Sequence, residues 1–453
     1  MGSVENSLIK NSRYYNHKNS IIMFLVVTPF VALSWIAIYT SQNYMGLLVF
    51  LTLLAIVVVC TRDIYSLIFC ILFIAINNQL WLIEFKIASI SLSIKIISYL
   101  CIFLCILGLL FEKKISKNTK EMIVPLKVYI IWFLYICIVN FIKTEINMQL
   151  IIYIFCFFLM SIIFQILVQS DLKYAKTLIF VYFISIGTLV AIGYIELIVG
   201  KTFFMSQWAQ GERYRYEIMR IGSTVADSNF MCALLLPAFV LFKTRAFTKV
   251  INKHILKFSE ILIFIQIILT LSRTGLVILA IVTVLIILYK YKYVLLISIP
   301  ILIGSAAYIN SSFSILYNAD TGSNYAREAI NVLAHNVWMK NFLFGIGFGQ
   351  FKVISESYTT SSVVSSLSTM NTYNLLLTSS GLIGLLFYAV YIIYSIRDSV
   401  FNFFKDKESA YIVIAVLAWS MMIYTLDCFY IVFLWIIPAI ILSINRINNY
   451  NAK

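Results

Sequence analysis

Long stretches of chain with almost no charge constrain this sequence more than any other feature. Ser20–Thr40, Ile90–Phe111 and Gly381–Ile396 are examples. About 20 apolar residues wound as a helix match the hydrocarbon thickness of a bilayer, and a helix pairs its backbone groups internally. Of the 453 residues, 62% are hydrophobic and 12% charged, against about 45–50% and about 25% in soluble domains. The apolar runs centre near residues 30, 52, 73, 100, 132, 158, 185, 235, 264, 281, 300, 384, 417 and 436. The expectation is an all-α polytopic membrane protein with about 14 transmembrane helices (roughly 12–14).

The N-terminus is polar and basic (Lys10, Arg13, Lys18), and the first apolar run lacks a small-residue cleavage site. That run is expected to stay as a span. The eight cysteines (Cys60, Cys70, Cys101, Cys105, Cys137, Cys156, Cys232 and Cys428) lie in or beside apolar runs without metal-ligand spacing. They read as small hydrophobes in helices. No metal and no cofactor is expected.

A net charge of +15 would suit a nucleic-acid partner, but the positions of the charges argue for membrane orientation. With the N-terminus in the cytoplasm, successive inner loops carry Arg62, then Lys113, Lys114, Lys117 and Lys120, then Lys173 and Lys176. Lys243, Arg245, Lys249, Lys253 and Lys257 follow, then Lys290 and Lys292, then Arg397, Lys405 and Lys407. The outer loops are poor in lysine, which is the positive-inside pattern with both termini cytoplasmic. Two outer segments are long, about residues 200–227 and 310–371, and the second contains a Ser/Thr-rich stretch, Ser355–Thr369, suited to a mobile cover. Residues 1–453 therefore read as a single transmembrane domain with an outer cap.

Arginine departs from the lysine pattern. Of ten arginines, Arg213, Arg215, Arg220, Arg273 and Arg327 map to the outer face. Guanidinium is permanently charged, planar and suited to gripping phosphate oxygens with two parallel hydrogen bonds. A cluster at a membrane surface suits an anionic, diphosphate-type group presented from the lipid. Ion pairs with Glu212, Glu217 and Glu328, or contact with lipid headgroups, are the plainer alternatives. Arg273 in "LTLSRTGLVIL" has almost no loop to carry it into water, so it should face a polar hollow and have a partner, or snorkel to the headgroups. Arg220 opens "RIGSTVADSNF", where Asp227 and Ser228 are placed to cap the next helix.

Three segments together resemble the O-antigen polymerase/O-antigen ligase superfamily. In "RIGSTVADSNF", Arg220, Gly222, Asp227 and Asn229 match an Arg-Gly…Asp-Pro-Asn pattern, with Ser228 in place of proline. "LSRTGLV" matches a Ser-Arg helix junction through Ser272 and Arg273. "NYAREAINVLAHNVWMKNFLFGIGFGQF" matches an arginine followed by an amphipathic helix and a Gly-x-Gly turn through Arg327, Gly345, Gly347 and Gly349. Beyond it, "MNTYNLLLTSSGLIGLL" is similar to a His-Asn-x-Tyr…Gly-x-x-Gly start of a span through Asn371, Tyr373, Gly381 and Gly384. The resemblance covers roughly residues 200–395. Met370 stands where the ligases carry a histidine and cannot shuttle a proton, which favours the polymerase branch over the ligase. His335 lies nearby within the amphipathic segment, where a structural or interfacial role is the simpler reading.

The resemblance implies a fold like the C-type glycosyltransferases in a bacterial inner membrane, with the active site facing the periplasm. It implies metal-independent transfer of a polysaccharide chain from undecaprenyl diphosphate to the non-reducing sugar of another lipid-linked repeat unit, for O-antigen or capsule. Membrane lipid and a chain-length regulator are the other implied partners; nucleic acid is not. Arg220 and Arg273 would stabilise the departing diphosphate, with Arg213, Arg215 and Arg327 in support and Asn229, Asn371 and Tyr373 binding substrate. Glu196, Glu217 and Asp227 are the candidate general bases, although Asp227 equally suits a helix cap and Glu196 an ion pair with Lys201. Trp208, Tyr214, Tyr216 and Trp338 could stack on sugars or simply form an interfacial belt. A lipid-linked oligosaccharide flippase and a non-catalytic scaffold are the rivals from other classes.

Overall fold

The structure is a computed structural model that describes residues 84–87, 90–93, 122–143, 148–203, 214–215, 218–225, 227–290, 321–351, 353–354 and 371–449. The expected spans near residues 30, 52, 73, 100 and 300, Arg213, Ser355–Thr369 and four of the cysteines lie outside the described residues. The chain is a helical membrane protein. Helices occupy the apolar runs centred near 132, 158, 185, 235, 264, 281, 384, 417 and 436. Among the described residues, five helices are long and apolar enough to cross a membrane: Leu150–Ser170, Leu172–Val199, Arg273–Lys290, Thr372–Phe401 and Val432–Asn449.

The described residues are overwhelmingly helical, as the all-α expectation has it, and two short hairpins accompany the helices. An antiparallel hairpin joins β1 (Glu84–Ile87) to β2 (Ile90–Ser93), with Phe85 opposite Leu92. The run that starts at Ile90 therefore begins as a strand. Its first residues, Ile-Ser-Leu-Ser, alternate apolar and polar with period two, the pattern of a strand and not of a helix. A second, shorter hairpin pairs β3 (Tyr214–Arg215) with β4 (Ile218–Met219).

The chain forms two compact units. The first comprises Met1–Pro125, Cys156–Leu276 and Ile431–Lys453; the second comprises Leu126–Phe155 and Val277–Tyr430.

In the first unit, α3 (Leu172–Val199) is the central helix, flanked by α4 (Ser228–Leu241), α5 (Arg245–Val250), α6 (Lys253–Leu269) and α11 (Val432–Asn449). Asp171 caps the start of α3 by accepting from the Lys173 amide, and Gly200 ends it in the left-handed conformation, φ 67°. Tyr182 of α3 stacks on Phe433 of α11 with ring centroids 5.9 Å apart. Basic side chains gather at the opposite end of this unit from Gly200. Lys249 Nζ donates to the Ile447 and Asn448 carbonyls at the end of α11, at 2.9 and 3.2 Å. Arg446 donates to the Val168 carbonyl near the end of α2 (Met148–Ser170). Cations satisfying terminal helix carbonyls also complement the helix dipole.

In the second unit, α9 (Thr372–Phe401) packs against α1 (Leu126–Lys143), α8 (Thr321–Lys340) and α10 (Lys407–Met422). Aromatic contacts join α1 to α9, with Trp132 and Tyr391 centroids 5.7 Å apart. α9 is broken at Gly381, φ 66° and ψ −167°. The break frees backbone groups that an apolar environment cannot leave unpaired. The segment after α8 pairs them: the amides of Ile346 and Gly347 donate to the Thr378 and Ser379 carbonyls at 2.8 and 2.9 Å. Leu382 N donates to Phe342 O at 2.9 Å, and Tyr135 Oη donates to Ser380 O at 2.5 Å. A Cβ on Gly345 would lie 2.6 Å from the α9 backbone, and one on Gly381 would lie 2.2 Å from Leu343 O. Only glycine fits either place.

Candidate functional site

The arginine-bearing site is assembled in the first unit from three turns. The first follows β4 directly. Arg220, 2% exposed, leads into Gly222 and the short 3-10 turn Ser223–Val225. Glu196, fully buried one turn from the end of α3, holds this segment. Its Oε2 accepts from the amides of Gly222 and Ser223 at 3.3 and 2.9 Å, and its Oε1 accepts from Phe203 N at 2.9 Å. Ser223 Oγ adds a bond to the Leu189 carbonyl at 2.8 Å.

The second turn starts α4. Asp227 is its N-cap, with Oδ1 accepting from Asn229 N at 2.6 Å and from Phe230 N at 3.3 Å. Among the described residues, Oδ2 accepts no hydrogen bond.

The third turn joins α6 to α7 (Arg273–Lys290). Arg220 Nε donates to the Thr270 carbonyl at this turn, 3.2 Å away, and its Nη2 donates to Asn229 Oδ1 at 3.4 Å. Ser272 Oγ caps α7 by accepting from Gly275 N at 3.2 Å, so Arg273 is the first helical residue. A cation there is opposed by the helix dipole, and no acidic residue lies in that first turn. Gly275 sets α7 hard against α4, since a Cβ there would lie 2.1 Å from Cys232 Sγ.

Arg220 therefore reaches the turn from which Arg273 opens α7. Strain accompanies them. Ser223 (φ 52°) and Leu271 (φ 50°) are the non-glycine residues with positive φ among the described residues, and they flank the two arginines. Non-glycine residues held in this region cost about 1–3 kcal/mol each and gather at functional sites.

No family model matches this chain, and no curated protein matches it.

Glu196 lies near the end of α3, where sequence reasoning placed it, and its partners there are backbone amides. Neither its expected pairing with Lys201 nor a solvent-facing base describes it: both carboxylate oxygens serve the backbone. Asp227 is the cap anticipated as its alternative role. Arg215 lies on β3. The other expected residues belong to the second unit. Arg327 lies within α8 instead of preceding it, is half-buried, and forms no ion pair with Glu328. Asn371 is the N-cap of α9, accepting from Asn374 N at 2.7 Å, and Tyr373 Oη donates to Ser420 O at 3.1 Å. Cys156, Cys232 and Cys428 are buried and unbridged, and Cys137 is half-buried. No group of three or more metal-ligating side chains occurs among the described residues.

Sequence reasoning missed Gln266. It is fully buried in α6, its Nε2 donates to Val190 O at 3.2 Å, and its Oε1 has no partner among the described residues. A single amide inside the apolar run "IFIQIIL" was the available signal.

Proposed function

We propose that this protein is a polysaccharide polymerase of a bacterial inner membrane, acting at the periplasmic face on oligosaccharides linked to undecaprenyl diphosphate. The observation that carries the reading is the bond from the buried Arg220 guanidinium to Thr270, on the turn from which Arg273 begins α7. One guanidinium bonded to this turn and a second arginine opening the helix that leaves it suit a diphosphate. The sequence resemblance supplies the reaction class.

In the proposed step, a hydroxyl of the acceptor sugar attacks the anomeric carbon of the donor chain. The bond from that carbon to the diphosphate oxygen breaks, and the lipid diphosphate leaves with the electron pair. Arg220 and Arg273 stabilise the charge that grows on it, more in the transition state than in the ground state. Asp227 Oδ2 suits the acceptor's proton better than Glu196 does, because Glu196 is already engaged at both oxygens. Glu196 is then a positioning residue that fixes the Arg220 turn.

Replacing Arg220 or Arg273 with Ala tests this in cells. The expected result is surface polysaccharide reduced from long chains to single repeat units. Loss of all repeats from the surface would overturn the polymerase reading and favour transport.

A further inference from the structure

We infer that the second unit carries a carbohydrate-binding subsite for the acceptor repeat unit, built from α8 and the start of α9; this rests on the polymerase reading. Arg327, Asn331, His335 and Trp338 are spaced by four, four and three residues, which places them on one face of α8. Facing them is the N-terminus of α9. Asn374 Nδ2 donates to Asn331 Oδ1 at 2.8 Å, and Asn371 Nδ2 approaches the same oxygen at 3.5 Å. Asn371 is itself held by its capping bond.

Three carboxamides bonded to one another leave definite capacity unspent. With Asn331 Oδ1 accepting from both neighbours, the Asn331 amide nitrogen has no acceptor among the described residues, and Asn374 Oδ1 has no donor. Asn331 is exposed and Asn374 half-buried. A donor and an acceptor side by side match two neighbouring sugar hydroxyls, or the N–H and C=O of an acetamido group. Trp338 is fixed two turns further along the same face: its Nε1 donates to Phe342 O at 3.2 Å, its ring stacks on Phe342 at 5.2 Å, and His335 meets its edge at 5.6 Å. An indole fixed two turns from planar amides on one helix face suits an oligosaccharide, one sugar offering an apolar ring face and another a polar rim. Arg327, one turn before Asn331, adds a cation for an acidic substituent. α8 buries its other face, Ile330, Ala334 and Val337, against Phe351 and Ile346. That apolar face packs the helix without the polar stripe, whose own tie to α9 is the bonding at Asn331.

The test uses the full-length protein in lipid nanodiscs. The probe is the repeat-unit oligosaccharide released from the host's own surface polysaccharide by mild hydrolysis, free of diphosphate. Saturation-transfer NMR should detect it on the wild type and on Arg220→Ala. The double variant Asn331→Ala/Asn374→Ala and the single variant Trp338→Ala should bind it roughly tenfold more weakly, and Trp338→Phe should retain binding. Thermal unfolding of each variant checks that the fold is kept, since the stripe lies away from the buried face. Equal binding by wild type and the double variant would overturn the subsite, as would no binding to the wild type. Retained, Asn331-dependent binding by a protein that elongates no chains would uphold the subsite while refuting the polymerase reading.

Discussion

Glu196 and Arg220 are two ionisable residues taken almost wholly out of solvent, and each is compensated by backbone groups. Removing the Glu196 carboxylate would strand the amides of Phe203, Gly222 and Ser223 together. Hydrogen bonds to a charged group contribute about 1.5–3 kcal/mol each, and buried donors left unpaired cost more than the bond gained. Glu196→Ala is expected to destabilise the protein by on the order of 3 kcal/mol, read as a lowered midpoint in thermal unfolding of detergent-solubilised protein. Glu196→Gln keeps one acceptor oxygen and should lose less. Arg220→Lys is a different kind of change. It preserves charge, but a single ammonium cannot reproduce the planar fork that reaches Thr270 and Asn229 while still presenting nitrogens to a phosphate. Under the proposed function, chain elongation in isolated membranes should fall at least roughly tenfold in Arg220→Lys, with a smaller loss of thermal stability than in Glu196→Ala. Full activity in that variant would remove Arg220 from the transfer step.

At the level of elements, the break in α9 is stabilised by a partner strip of backbone from 342–347 and by the Tyr135 hydroxyl. Gly345 and Gly381 sit at positive φ with backbone atoms 2.6 and 2.2 Å from a built Cβ. Gly345→Ala and Gly381→Ala should each destabilise by more than about 2 kcal/mol, because the clash is with backbone that cannot rotate away. Gly200 supplies the control. Its φ is also positive, at 67°, but a Cβ there meets nothing within 4 Å, so Gly200→Ala should cost only about 1–2 kcal/mol. Comparable losses in all three would show that conformation, and not close approach, sets the requirement. The sequence displays these glycines openly, and it marks the segment as a turn beside a span. It cannot display which carbonyls the turn will meet, since main-chain pairing across more than thirty residues leaves no residue signature.

Across the whole molecule, charge type separates with position. In the first unit, Lys249 and Arg446 hold terminal carbonyls at one end of the helices, whereas Arg220 and Arg273 sit where α3 and α6 finish and α4 and α7 begin. That separation is what the positive-inside rule leads one to expect if the lysine-rich end is cytoplasmic. It predicts opposite labelling of two introduced cysteines by a membrane-impermeant maleimide in intact spheroplasts. Lys201→Cys just beyond α3 should react from outside, and Lys257→Cys on α6 only after the membrane is opened. The native Cys156, Cys232 and Cys428 are buried and should stay silent. Reversed accessibility would invert the orientation and move the arginine site to the cytoplasm.

Much of the architecture follows from local composition, because each apolar run must bury itself in lipid and can do so only as a helix. Helix positions, the Asp227 cap and the prominence of Arg220 and Arg273 were legible for that reason: charge in or beside an apolar run is conspicuous. What the sequence could not determine was pairing. That Glu196 would serve three amides, that Arg220 would reach Thr270, and that Asn331 would face Asn374 all depend on segments distant in the chain. Hydrogen-bond partners are chosen by where packed helices bring turns together, and only the tertiary structure decides that.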